Sequence, residues 1–393
     1  MPAATELDLG IHTRGLTITG EDPVALSLGG AESAVVWVAR ALQRLGHRVT
    51  VACKTDRERQ VAGVTYLPEE RLLSGAVPCP RDLLISCRFF LEALQLDLPA
   101  RVKGLWLHDP PEEESVRGLR QVLPRASFCF FLSRFHRAAY LDTLPELAPI
   151  ARLTRNGVDQ PAIDELLSET PDASPGAPLR FIFGSRPIRG LETLLAEIWP
   201  QVHALYPQAE LLVTCYDIED LLVDDPERRV RARAAQAHYD RLVAAAPGAR
   251  YVGPLTRRQF WREMTTCRAV LYPTDTPEVS CLVALEAQAL GVPIVTTKDF
   301  ALRETVGFAP CLISDPWGSA DYTRSFVEQV RRLVEDSAYT ERVRQAGREH
   351  VRHGGYTWDH IAAEWTDIFQ HSLTRPGSRP KTLEPFGSRG DAS

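Results

Sequence analysis

LYPTDTPEVSCLVALEAQALGVPIVT, running from Leu271 to Thr296, is the stretch on which the fold turns. An apolar strand end, Ala269 to Tyr272, meets a turn rich in Pro and Thr. A carboxylate follows at Glu278, then a helical pattern carrying a second carboxylate at Glu286, then a second buried strand from Pro293. Two acids eight residues apart, one at a helix entrance and one inside the helix, point to a cleft that holds a polyhydroxylated ligand.

The same alternation extends in both directions. Short apolar runs predict strands at Leu16 to Thr19, Val49 to Ala52, Leu83 to Ser86, Val102 to Leu107 and Phe128 to Leu132, with an amphipathic helix at Ala31 to Leu45. Strands resume at Arg180 to Phe183, Glu210 to Thr214, Ala249 to Val252, Pro293 to Thr296 and Cys311 to Ile313. Strands alternating with helices predict parallel sheets covered on both faces. Pro, Ser, Ala and Asp accumulate from Pro161 to Pro178, which reads as a linker between two α/β domains. The boundaries drawn from this are 1–165, a linker at 166–178, and 179–356. Trp358, Ile361, Ala362, Trp365 and Ile368 then recur at helical spacing. That helix, 357–373, either closes the second core or crosses back to the first domain, and the polar tail 374–393 is expected to be disordered.

Composition narrows the classes. At 393 residues the chain exceeds what a single core usually supports. A net charge of -6 gives no global pull toward nucleic acid, so any phosphate recognition must be local. The N-terminal residues carry no apolar core of the signal-peptide kind, and no run approaches the ~20 apolar residues needed to span a bilayer. Eight cysteines without a CxxC pair read as reduced core residues of a cytoplasmic protein, not as metal ligands. Arg257, Arg258 and Arg262 beside Trp261 read as a solvated amphipathic helix, compatible with at most peripheral membrane association.

Four further places carry possible chemistry. Gly29 and Gly30 open the helix that ends near Gly46, where backbone N–H groups and the helix dipole suit a phosphate or a sugar hydroxyl. Their spacing does not fit GxGxxG, which argues against a nicotinamide site. His108 and Asp109 end the strand RVKGLWLHD, on the side of a parallel sheet where ligands bind, or His108 is satisfied by a neighbouring backbone group. His47, in the turn LGHRV, reads as solvated. Arg186 and Arg189 in GSRPIRG follow the strand from Arg180, and two guanidinium forks there can neutralise a diphosphate. Asn156 and Gly157, in RNGVD, read as a turn.

In their order along the chain, GGAE at Gly29, HD at His108, RNGVD at Arg155, the Arg186/Arg189 loop and E-x7-E from Glu278 to Glu286 resemble the family 4 glycosyltransferases of the GT-B fold. The resemblance runs from about Gly29 to Trp365. It implies two Rossmann-like domains with parallel sheets facing across a cleft, the first binding the acceptor and the second a nucleotide sugar. It also implies transfer with retention and without a metal or other cofactor, the nucleoside-diphosphate sugar being the co-substrate. By the same resemblance, Arg186 and Arg189 hold the diphosphate with help from the backbone of Ser280, Cys281 and Leu282. Glu278 binds hydroxyls of the transferred sugar, Glu286 the ribose, Gly30 lies near the phosphates and His108 near the donor sugar; Asn156 is a further donor-side candidate.

Three positions depart from the family pattern. Arg189 stands where a lysine is usual, in a loop one residue shorter. Cys281 replaces a glycine and narrows the room for the sugar. Cys215, Tyr216 and Asp217, with the acidic DIEDLLVDDPE that begins at Asp217, stand where a Gly-x-Gly is common. The acceptor, whether glycan, lipid, protein or small molecule, leaves no readable signature. An epimerase or hydrolase of nucleotide sugars and a non-catalytic nucleotide-sugar binder are the competing readings. An epimerase would turn over without an acceptor, and a pure binder would not turn over at all.

Overall fold

The computed structural model describes residues 6–26, 28–170, 178–214 and 226–374. They form two compact units. One contains the described residues up to Asp22, Gly29–Gly157 and those from His353 onward; the other contains Val158–Arg352 and the described part of Pro23–Leu28.

The first unit is built on β1 (Asp8–His12), β2 (Arg48–Cys53), β3 (Arg59–Val61), β4 (Val64–Pro68), β5 (Leu83–Cys87), β6 (Val102–Trp106), β7 (Phe128–Phe131) and β8 (Ala151–Leu153). They form one sheet in the order β3-β4-β2-β1-β5-β6-β7-β8, parallel throughout except for the antiparallel β3–β4 pair. The first strand is DLGIH, not Leu16–Thr19. Leu9 and Ile11 are buried in register with Val49 and Val51, whereas Leu16 follows Gly15, whose φ of 127° takes the chain out of an extended path. The short strands β3, β4 and β8 carry too little periodicity to be read from the sequence.

The helix Trp358–Thr374 belongs to this first unit. Its Trp358 stacks on Trp37 of the helix Gly30–Arg44 with ring centroids 5.8 Å apart. Trp365 lies between Trp106, edge-on at 4.8 Å, and Phe130, stacked at 4.5 Å, and its indole N–H donates to Thr154 at 2.8 Å. Of the two placements open to this helix, the one on the first core is therefore realised. The same helix buries His47, whose Nε2 lies 3.0 Å from the Thr366 hydroxyl, so His47 is not a solvated turn residue.

The second unit is built on β9 (Arg180–Gly184), β10 (Glu210–Thr214), β11 (Ala249–Tyr251), β12 (Ala269–Tyr272), β13 (Ile294–Thr297) and β14 (Leu312–Ile313), an all-parallel sheet in the order β11-β10-β9-β12-β13-β14. Part of the expected linker is helical: Gln160–Glu169 forms a helix capped by Asp159 with Pro161 in its first turn. Arg258 grips Glu169 with both carboxylate oxygens at 2.9 Å, which ties this helix to the second unit. In the helix Arg257–Thr265 the positions 257, 260, 261 and 264 share the buried face. Trp261 is fully buried and Arg257 nearly so, which corrects their assignment to a solvated or membrane-facing surface. Among the described residues no helix is long and apolar enough to cross a membrane. The segment at Cys215–Asp217, the rest of the acidic stretch up to residue 225, and the tail beyond Thr374 lie outside the described residues.

Because Trp365 fills the core between β6, β7 and the strand-end Thr154, truncating it to Ala should lower the unfolding free energy of the first unit by about 3–5 kcal/mol. Urea unfolding followed by far-UV circular dichroism measures this, and an unchanged midpoint would place the helix elsewhere.

Candidate functional site

Each sheet reverses its strand order once, between β1 and β5 in the first unit and between β9 and β12 in the second. In open parallel sheets a ligand crevice lies beyond the carboxyl ends of the strands at such a reversal. In the second unit the loops after β9 and β12 meet there. Gly190 makes the meeting possible: its φ is 101°, and a β-carbon would sit 1.5 Å from the Pro273 carbonyl oxygen. The β12 loop is pinned from β13, where Thr296 donates to the Tyr272 carbonyl and Thr297 to the Thr274 carbonyl, each at 2.6 Å.

This contact brings Arg189 onto Glu278. Arg189 Nη1 donates to Glu278 Oε1 at 2.6 Å, and the Tyr272 hydroxyl donates to the same oxygen. The other oxygen, Oε2, accepts from no described residue and is not sealed from solvent. Burial alone would pull the Arg189 guanidinium down, but Glu278 and the Tyr272 oxygen outweigh it, so Arg189 stays charged. Burial first, and then Glu278, raise the Tyr272 phenol well above its ordinary value, so it remains a neutral donor. Arg186, in the same loop, is exposed.

The helix Leu282–Ala289 starts four residues beyond Glu278, and its N-cap residue, Cys281, makes no side-chain cap. Cys281 is buried, and burial followed by the Glu278 charge pushes its thiol up, so it is a packing residue and not a nucleophile. Glu286, one turn into this helix, is completely buried and takes Arg257 Nη1 on Oε1 at 2.5 Å. Arg257 also donates to the Leu28 carbonyl at 3.3 Å. A buried carboxylate without such a partner would be strongly destabilising.

In the first unit the reversal gathers a charged network. Arg88, the residue after β5, adopts φ of 61°, unusual for a side-chain-bearing residue. Its guanidinium forks onto Asp109 at 2.9 and 3.2 Å and lies 3.7 Å from Glu32. Burial would raise the Asp109 carboxyl, but Arg88 outweighs it and holds it below the usual carboxylate range. Gly29 caps the helix Gly30–Arg44, and the room its missing side chain leaves is filled by the Glu32 carboxylate, 2.3 Å from where a β-carbon would be. His108 packs its ring on Trp106 at 4.2 Å; its Nε2 is buried without a partner among the described residues, and burial lowers its pKa to about 3. Asn156, three residues beyond the end of β8, is buried. Its neighbour Arg155 donates to the Gly355 carbonyl at 3.1 Å and to Glu364 at 2.6 Å, which ties RNGVD to the C-terminal helix.

The residues singled out from the sequence thus fall into two sets. Arg186, Arg189, Glu278, Ser280, Cys281, Leu282 and Glu286 lie in the second unit, and Gly29, Gly30, His108 and Asn156 in the first. Tyr272, Arg257 and Arg88 were not among them. Arg257 was within reach of sequence logic: the capping box Thr256–Gln259 fixes the helix start and puts 257 on one face with Phe260, Trp261 and Met264. Tyr272 and Arg88 carry no comparable signal, since each gains its partner only through contacts distant in sequence.

Residues 245–350 match the family model described as glycosyl transferases group 1. No curated protein matches the chain. Among solved structures, a sucrose-phosphate synthase from Thermosynechococcus elongatus is 17% identical with a TM-score of 0.69, the match covering 93% of this chain and 99% of that one. An α,α-trehalose-phosphate synthase (UDP-forming) from Burkholderia vietnamiensis is 13% identical with a TM-score of 0.69, over 93% of this chain and all of the other. The Anabaena protein HepE, solved in complex with UDP and glucose, is 15% identical with a TM-score of 0.63, over 93% and 100%. The chain is therefore similar to glycosyltransferases in sequence over residues 245–350 and in fold, the GT-B arrangement of two parallel-sheet α/β domains, over nearly its whole length.

Four histidines titrate below their ordinary range because they are buried: His47, His350, His108 and His136, the last at about 4. His136 sits between the Leu132 N–H on Nδ1 and the Asp109 carbonyl on Nε2, which fixes its neutral form. The unfolded chain binds these protons more readily, so stability is full above the ordinary histidine range and falls as pH drops from about 6.5 toward 4. His136 alone accounts for roughly 3 kcal/mol by pH 4. Urea unfolding at pH 7 and pH 4.5 should show the loss, with a shallower decline in His136→Gln.

Proposed function

We propose that this chain is a retaining, metal-independent glycosyltransferase that moves a sugar from a nucleoside-diphosphate donor to an acceptor. The observation that carries the reading is the arrangement at the β9/β12 reversal: a charged Arg189, a carboxylate at Glu278 with one oxygen unclaimed, and the start of an uncapped helix. Supporting it are the group 1 match over residues 245–350 and the fold shared with HepE, whose structure holds UDP and glucose.

In this reading Arg186 and the remaining N–H groups of Arg189 meet the diphosphate, joined by the backbone of Ser280, Cys281 and Leu282. Charge accumulates on the leaving diphosphate as the glycosidic bond breaks, so fixed cations and helix N–H groups stabilise the transition state more than the bound donor. Glu278 receives the hydroxyls of the transferred sugar and Glu286 those of the ribose. Gly29, Gly30, His108 and Asn156 are further donor-side candidates by the resemblance. With a pKa near 3, His108 is a neutral hydrogen-bonding group there, not a charged acid. The cysteines, without a CxxC pair and mostly in apolar segments, fit reduced core residues of a cytoplasmic protein.

A panel of nucleotide sugars tests the reading. The matching donor, at about 100 times its dissociation constant, should raise the melting temperature by roughly 5 °C. Glu278→Gln should fold normally and lose roughly two to three orders of magnitude in kcat/KM. A melting temperature insensitive to every nucleotide sugar, or a Gln variant as active as the parent, would remove the assignment.

A further inference from the structure

Glu278 is held asymmetrically. Oε1 takes two donors, Arg189 Nη1 from the β9 loop and the Tyr272 hydroxyl from the end of β12, while Oε2 takes none among the described residues. A carboxylate has about four lone-pair sites, and one held by a single contact can still turn about its last bond. Two donors arriving on one oxygen from different elements remove that freedom and define where the second oxygen points. Neither donor can drift far. The Tyr272 ring is 2% exposed and lies 6.1 Å from that of Phe183, and its backbone carbonyl accepts from Thr296. Arg189 is fixed by the seating of Gly190 on Pro273.

The chemical identities matter as well. Tyr272 stays a phenol beside the carboxylate, so it is a donor at any physiological pH and adds no charge. Arg189 spends one N–H on Glu278 and, a third exposed, keeps others for a second ligand group. Tyr272 has no such surplus: its single proton goes to Glu278, while its oxygen lies against the Arg189 guanidinium and 3.5 Å from Ser185 Oγ. The one proton it can donate therefore reaches the ligand through Glu278.

Resting on the nucleotide-sugar reading above, we propose that Tyr272 is a positioning residue of the donor site. Together with Arg189 it occupies Glu278 Oε1 so that Oε2 is presented to the hydroxyls of the sugar being transferred. The effect belongs to the sugar half of the donor and not to the nucleotide half. Orienting the acceptor oxygen before the ligand arrives saves the ordering cost at binding.

The test is calorimetric titration of the full chain and its Tyr272→Phe variant with UDP and UDP-glucose, ADP and ADP-glucose, and GDP and GDP-mannose. The substitution deletes one oxygen and keeps the ring, so the fold is retained. For the pair that binds the parent, the variant should hold the free nucleoside diphosphate within about twofold of the parent and the nucleotide sugar about tenfold more weakly. In a Glu278→Gln background the same substitution should add nothing, since its partner has already been altered. Equal weakening of both ligands, no weakening of either, or additive losses with Glu278→Gln would overturn the inference while leaving the donor site in place. Absence of binding by the parent to every ligand of the panel would overturn the nucleotide-sugar reading and the inference with it.

Discussion

The second unit depends on a backbone contact that leaves no room for a side chain. The Pro273 carbonyl stands where a β-carbon of residue 190 would be, and the loop reaches that position only with φ on the left-handed side. From that single approach follow the meeting of the β9 and β12 loops, the delivery of Arg189 to Glu278 and the grip on one carboxylate oxygen. Threonines on the neighbouring strand then satisfy the carbonyls of the β12 end, so the loop is rigid where ligand chemistry is expected. Preorganisation of this kind is what binding of a charged, flexible donor requires.

The first unit is closed by residues far from it in sequence. The helix Trp358–Thr374 supplies Trp358 to Trp37 and Trp365 to Trp106 and Phe130, and it buries His47 against Thr366. Neither unit is therefore a single continuous stretch of chain. The stacked and edge-on rings also explain why an apolar helical face at the end of the chain is not a satellite of the preceding core: its aromatic partners are on the first sheet.

Both strand-order reversals hold charged side chains out of bulk water, but in different balance. In the second unit two cations, Arg189 and Arg257, each engage one acid, and Glu278 retains an open oxygen. In the first, Arg88 lies between Asp109 and Glu32, with Glu69 joined to His12 and Arg14 nearby in the same sheet's loops. Neutral His108 and His136 sit among these charges because burial makes protonation costly. The polar chemistry of both units thus lies where parallel topology places strand ends, and the N-terminal ends of the strands contribute none of the candidate residues.

The linear pattern of apolar runs determined the α/β class, two parallel sheets, and the positions of most strands from β2 to β13, because buried parallel strands announce themselves as short continuous apolar stretches. It also marked Arg186, Arg189 and Glu278 as candidates at the junctions of strands and helices, and Glu286 inside the helix that follows. Only the tertiary structure decided that DLGIH is the first strand, that the last helix returns to the first core, and that Pro161–Glu169 is helical. It alone decided that Arg257 is buried on Glu286 and that Tyr272 and Arg189 share one oxygen of Glu278. The reason is physical: period and composition report which face of an element is apolar, but the partner of a buried polar atom is chosen by approach in space. Gly190 beside Pro273, 83 residues apart in the chain, is the contact that makes that choice here.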